Sequence, residues 1–179
     1  LDAFRENNKI LKNSECTVHD IGEGVMCIEF QTKGNSIGEG IAKGINEAID
    51  IAERDGWNGI VIGNNEKQFS VGANLMNMGM MAMQKNFDEI EKFLVGFQKI
   101  LMRMRTCNVP VVSATHGFVM GGGLEVSIHC DAGIHASESY IGLVEAGVGL
   151  IPGGGGTKEM AMRSSDSFNS GDVKMPSLI

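Results

Sequence analysis

The chain has 179 residues, enough for one domain with a sizeable core. Its 42% hydrophobic and 21% charged residues are ordinary for a folded protein, and a net charge of −7 argues against nucleic acid or an anionic membrane as the main partner. Cys16, Cys27, Cys107 and Cys130 are scattered without a C-x-x-C pair, which fits a reducing, cytoplasmic setting, and no apolar run reaches the ~18 residues of a membrane span.

The chain begins at Leu1 and not at Met, so a piece of something longer is expected, and no signal peptide is visible. Residues 1–20 are polar and aperiodic, as a linker or packed arm would be. Residues 25–30 (VMCIEF) follow a glycine turn and predict a strand. Ser36 and Glu39 have capping-box spacing, and Ile37, Ile41, Ile45 and Ile49 recur at helical spacing, which predicts a helix over 37–54. The apolar run 59–64 (GIVIGN) fits a buried parallel strand. A glycine turn at 69–75 (FSVGANL) leads into a segment crowded with Met76, Met78, Met80, Met81 and Met83. Flexible methionines suit either an irregular apolar ligand or core filling and a mobile lid.

Asn86 and Glu89 mark the start of the next helix, with an apolar face of Phe87, Ile90, Phe93, Leu94, Phe97, Ile100, Leu101 and Met104. It must end before Pro110. A β-branched strand at 110–115 feeds Gly121, Gly122 and Gly123 and then an apolar helical segment, 124–128. Two short strands are expected at 131–135 and 139–143, and a last helix at about 157–163. Residues 164–179 offer no core face. Strands alternating with helices imply an α/β fold with mainly parallel pairing, divided into an arm (1–20), a core (21–163) and a tail (164–179).

Several motifs have competing readings. Gly34-Asn35-Ser36-Ile37-Gly38 matches a G-x-S-x-G nucleophile elbow, but Ser36 also suits the helix cap. The run 152–158 (PGGGGTK) lacks the Gly-Lys-Ser/Thr order of a phosphate loop and reads as a tight turn opening a helix. His116, His129 and His135 have no metal-ligand spacing, so no metal is assigned. Glu125 lies in the first turn of a helix, where the dipole favours a carboxylate, and Glu145 lies in a glycine-bounded loop. Each alone is unremarked, but together with the glycine turns they outline a site. Glycine lets backbone approach a ligand, and a helix start aims free N–H groups at it.

Three segments together resemble the crotonase superfamily, whose type member is enoyl-CoA hydratase: 69–75 (FSVGANL), 110–131 (PVVSATHGFVMGGGLEVSIHCD) and 142–157 (GLVEAGVGLIPGGGGT). They stand in the family's order and spacing. The resemblance implies a spiral of ββα units with mainly parallel short sheets, here lacking the family's C-terminal helical region, which covers the acyl pocket and builds a trimer. It implies an oxyanion hole from the N–H groups of Ala73 and Gly122. Glu125 would be the base toward water and Glu145 the acid toward C2 in hydration of a trans-2-enoyl-CoA. Coenzyme A, part of the substrate, would lie along Lys33, Asn35, Ser36, Ile37, Gln68, Ser70 and Gly72, and the acyl chain near Met76, Met80, Gly121 and Val148. Hydration needs no metal or redox cofactor.

The sequence departs from the family's usual pattern in three places. Asn74 replaces an Asp, 31–35 (QTKGN) replaces N-R-P, and the chain stops at Ile179. Within the family the chain looks most like the hydratase segment of a bacterial 3-hydroxyacyl-CoA dehydrogenase, so NAD would bind only outside it, in a parent that is a homo-oligomer or fused to a dehydrogenase. The alternatives are a double-bond isomerase on the same fold, a serine acyl hydrolase using Ser36, and an inactive CoA-binding fragment.

Overall fold

The structure, a computed structural model, describes residues 7–169. Among the described residues eight strands form in chain order: β1 (Lys9–Lys12), β2 (Cys16–Asp20), β3 (Val25–Phe30), β4 (Gly59–Ile62), β5 (Val111–Thr115), β6 (Phe118–Met120), β7 (Ala132–His135) and β8 (Tyr140–Gly142). Among the described residues these α-helices accompany them: α1 (Glu39–Asp55), α2 (Leu75–Met83), α3 (Phe87–Thr106), α4 (Gly122–Ile128) and α5 (Gly156–Asn169). The main sheet runs β1-β2-β3-β4-β5-β7, antiparallel from β1 to β3 and parallel from β3 to β7, and β6 and β8 form a small parallel pair.

The connections make a spiral. After β3 the chain makes a bridge at Ile37 and enters α1; after β4 it makes bridges at Ser70 and Ala73 and enters α2 and α3. After β5 it passes through β6 into α4, and after β7 through β8 toward α5. Ile37 pairs with Ala73, Ser70 with Val119, and β6 with β8, all in parallel. Each turn thus visits the main sheet, then this second layer, then a helix, as the ββα expectation requires.

The core lies between the helices and one face of the main sheet. Ile41, Ile45, Ala48, Ile49 and Ala52 of α1 are buried, together with Met26, Ile28 and Phe30 of β3 and Ile60 and Ile62 of β4. On α3 only Phe97, Leu101 and Met104 of the predicted apolar face are fully buried, and Phe87 is exposed. The helix stops at Thr106, ahead of Pro110.

Three expectations are corrected. The segment read as aperiodic supplies β1 and β2. Polar residues hide β2, where Thr17 and His19 are buried on the sheet face opposite to Cys16 and Val18, and His19 Nε2 lies 3.3 Å from Glu29 Oε2. Ser36 does not cap α1, which starts later, with Gly38 as its N-cap. Glu15, from the β1–β2 turn, takes over that role by accepting from the Ile41 N–H at 3.0 Å. The last helix extends to Asn169 and does not end at Arg163. Residues 1–6 of the predicted arm and 170–179 of the predicted tail lie outside the described residues. Among the described residues no helix is long and apolar enough to cross a membrane.

Candidate active site

Two free backbone donors mark the centre of the second layer. The pairing Ile37 N–H to Gly72 O (2.8 Å) and Asn74 N–H to Ile37 O (3.2 Å) uses the groups on either side of Ala73 N–H and turns that donor away. Gly122 is the first residue of α4, so its N–H has no acceptor within the helix. Neither N–H finds an acceptor among the described residues. They are neighbours: a Cβ on Gly122 would lie 3.3 Å from Ala73 N, and one on Gly72 would lie 3.1 Å from Gly122 N. Gly72 also has φ +93°, and its Cβ would press on Met120 O at 2.8 Å, so glycine is required where the two layers meet. Backbone donors left unpaired inside a fold are uncommon, and two side by side can stabilise negative charge on a bound group.

The predicted glutamates converge beside these donors. Glu125, in the first turn of α4, is 2% exposed. Its Oε1 accepts from Gly154 N–H at 2.8 Å and Gly156 N–H at 2.9 Å. Burial raises its pKa above the ordinary carboxylate value, and the Glu145 charge adds to the rise. The N–H groups of the glycine loop oppose it without cancelling it. Glu145 opens a 3-10 turn, Glu145–Val148, and its carboxylate lies over Gly121, where a Cβ would sit 3.1 Å from Oε1. Its Oε2 is buried without a hydrogen-bond partner. A carboxylate with an unused oxygen, beside a second one held by two amides, can take up and deliver protons at a molecule bound on the N–H pair.

The other predicted site residues divide by burial. Residues 33–37 and 68–73 are stitched together by Val71 N–H to Gly34 O (3.1 Å), Asn35 Nδ2 to Gln68 O (3.0 Å) and Ser70 Oγ to Asn35 O (2.7 Å). Asn35 and Ser70 are fully buried, and Ser70 Oγ also accepts from Gly72 N–H, so they shape this loop pair from inside. Lys33 is exposed, and Ser36, Gln68 and Gly72 belong to the same loop pair, while the Ile37 side chain is buried in the core. The Ser36 hydroxyl makes no hydrogen bond among the described residues, so no histidine or carboxylate activates it.

Of the predicted acyl contacts, Gly121 lies under Glu145, but Met76, Met80 and Val148 are exposed at 77%, 49% and 61%. The methionines of α2 that face the protein are Met78 and Met81, which line a groove with Ile37, Ile90 and Phe93. The helical period, not methionine content, decides which of them turn inward. Asn74 caps α2, its side chain accepting from Asn77 N–H at 3.2 Å.

Residues missed from the sequence are the amide donors Gly154 and Gly156, and the buried Glu159 just beyond them. The glycine run was visible as a turn. Its target, Glu125, lies 29 residues earlier at Gly154, and no local spacing signals that.

Comparison with known proteins bears on this geometry. The enoyl-CoA hydratase/isomerase family model matches residues 20–167. A probable 3-hydroxyacyl-CoA dehydrogenase of Bacillus subtilis (strain 168) is 42% identical over 175 residues, covering 95% of this chain and 22% of that protein. The chain therefore spans about a fifth of the length of that relative. A short-chain-enoyl-CoA hydratase of Clostridium acetobutylicum is 36% identical over 102 residues, 57% of this chain and 38% of that protein. The crystal structure of an enoyl-CoA hydratase from Polaromonas sp. JS666 superposes with a TM-score of 0.78 at 23% identity, covering 82% of this chain and 58% of that one, and shares the fold. The chain belongs to the enoyl-CoA hydratase/isomerase family of the crotonase superfamily.

Proposed function

We propose that the protein hydrates trans-2-enoyl-CoA thioesters to 3-hydroxyacyl-CoA, as a step in fatty acid oxidation. The observation that carries this reading is the convergence of two carboxylates on one free N–H pair. Glu125 is buried and held by amides, and Glu145 has an unpaired oxygen. The thioester oxygen would sit on the N–H groups of Ala73 and Gly122. Glu125, as carboxylate, takes a proton from water while the hydroxide oxygen bonds to C3. The C2=C3 electron pair moves toward the thioester and leaves an enolate on its oxygen. One such backbone donor is worth roughly 2.7–4 kcal/mol to that charge. Glu145 delivers a proton to C2, so one water is added across the double bond. The raised pKa of Glu125 makes its ionised form a stronger base toward water.

The coenzyme A portion would run along the loop pair 33–37 and 68–73, with Lys33 available to its phosphates. The name of the Bacillus relative fits a product that passes to an NAD-dependent dehydrogenase outside this chain, in a fused or oligomeric parent. Four cysteines with no disulfide among the described residues fit a reducing compartment such as the cytoplasm. The test is loss of the conjugated enoyl absorbance when the protein meets trans-2-enoyl-CoA of several chain lengths. No loss at any length overturns the reading, and conversion of 3-enoyl-CoA without hydration would replace it with an isomerase.

A further inference from the structure

Four consecutive glycines, Gly153 to Gly156, supply the two amides that hold Glu125. Such a run loses more conformational freedom on ordering than any other, so its placement needs anchors. Both ends are anchored on one face of α3. At the near end Gln98 Nε2 donates to Gly153 O at 2.6 Å. In the middle, Gly154 is pressed against Phe97 and Leu101, where a Cβ would lie 2.7 and 2.8 Å from their side chains. At the far end Glu159, in the first turn of α5 and 0% exposed, donates its own N–H to Gly155 O at 3.0 Å and pairs its carboxylate with Arg105 of α3.

The same carboxylate meets Lys158 Nζ at 3.0 Å and lies 3.6 Å from His129 Nε2. His129 joins this network through the Glu125 backbone only, because burial lowers its pKa and its neutral Nε2 brings no proton to Glu159. A carbonyl can only accept, so the His129 Nδ1 carries the proton that bonds Glu125 O at 2.7 Å. Burial alone would raise the Glu159 pKa, but Lys158 and Arg105 together bring it below the ordinary value, so the anchor is charged at neutral pH.

We infer that Glu159 is a positioning residue for Glu125: locked to Arg105 and Lys158, it fixes the glycine loop whose Gly154 and Gly156 amides aim the Glu125 carboxylate. This rests on the hydratase reading for the word positioning, but the mechanical link does not. Loosening the loop withdraws two donors that favour ionised Glu125, so its proton is held more tightly and the acid limb of the pH profile moves up.

The test uses the full chain with crotonyl-CoA, and the variants Glu159→Gln, Arg105→Met and Arg105→Lys. Arg105 is a third exposed and Lys158 stays beside Glu159 in its variants, so these are the milder changes should Glu159→Gln fail to fold. Glu159→Gln and Arg105→Met are expected to lower kcat about tenfold with KM little changed. They should also raise the acid limb of kcat/KM by about half a pH unit and speed hydrogen exchange of the segment 151–158 relative to β4. Arg105→Lys should restore most of each. An acid limb where the wild type has it, or loop exchange unchanged in Arg105→Met, overturns the inference. If the wild type itself does not turn over crotonyl-CoA, the hydratase reading alone fails, and loop exchange in the same variants still decides whether Glu159 holds the loop.

Discussion

At the scale of single residues, Glu125 sets function against stability. Its carboxyl is buried, and burial holds its pKa above the ordinary carboxylate value. The folded state therefore binds that proton more tightly than the unfolded chain does. Folding is disfavoured as pH rises from the ordinary carboxylate range through the raised folded value, and the loss is complete above it. Glu125→Gln never ionises, yet its amide oxygen can still accept from Gly154 and Gly156. The variant is expected to lose turnover and to be more stable than wild type at pH 7 by about 0.5–2 kcal/mol. The gain should disappear below the ordinary carboxylate range, where both proteins are neutral at this position. Urea midpoints of the pair at pH 7 and pH 4 check this, and equal midpoints at pH 7 would mean that the site bears the charge without strain. The two glutamates were legible in the sequence because each stands beside glycines. Glu159 was not, because Arg105, the partner that ties it to α3, lies 54 residues earlier and shares no local spacing with it.

At the scale of elements, what could be read followed element length and face. α1 and α3 were visible from their period, β4 from a continuous apolar run, β3 from the glycine turn before it and β5 from its β-branched residues. β6 and β8 have only three residues each, too few to show an alternation, although residues of β8 were expected to be extended. β1 and β2 were hidden by their lysines, His19 and Asp20, and by turn contacts that only the fold creates. Asn13 Oδ1 accepts from Glu15 N–H at 2.8 Å and Cys16 N–H at 2.9 Å, and Asn13 Nδ2 donates to Gly40 O at 2.7 Å. That turn carries Glu15 to the start of α1. The capping box expected at Ser36 is thus replaced by a long-range cap, which satisfies a first-turn N–H and the helix dipole together. Glu15→Ala is expected to cost about 0.5–2 kcal/mol, read as a lower urea midpoint with faster exchange of the Ile41 amide. An unchanged midpoint would show that water caps α1 equally well.

Across the whole molecule, burial is uneven along the spiral. The early turns pack α1 onto β2, β3 and β4 and α3 against α1, and most of the fully buried apolar side chains lie there. In the last turn β7 is exposed along its whole length, with Ile134 at 66%, and forms an edge of the main sheet. Tyr140, Val148, Ile151 and Phe168 are all more than 60% exposed nearby in the chain. An exposed sheet edge with apolar side chains around it offers both unpaired backbone and surface to be buried, and so favours association. Opposing this is the net charge of −7, which repels like copies over about the Debye length, ~10 Å at 0.1 M salt. The balance should therefore depend on ionic strength in a direction opposite to that of an ion-paired interface. The 179-residue chain is expected to self-associate at micromolar concentration and to do so more strongly as salt is raised. Ile134→Lys and Ile151→Lys together should suppress it with little change in thermal stability, because neither side chain is buried. Sedimentation at low and high salt, with a dye that reports exposed apolar surface, measures this. A monomer at every salt concentration that binds no dye would show that the last turn is self-sufficient as it stands.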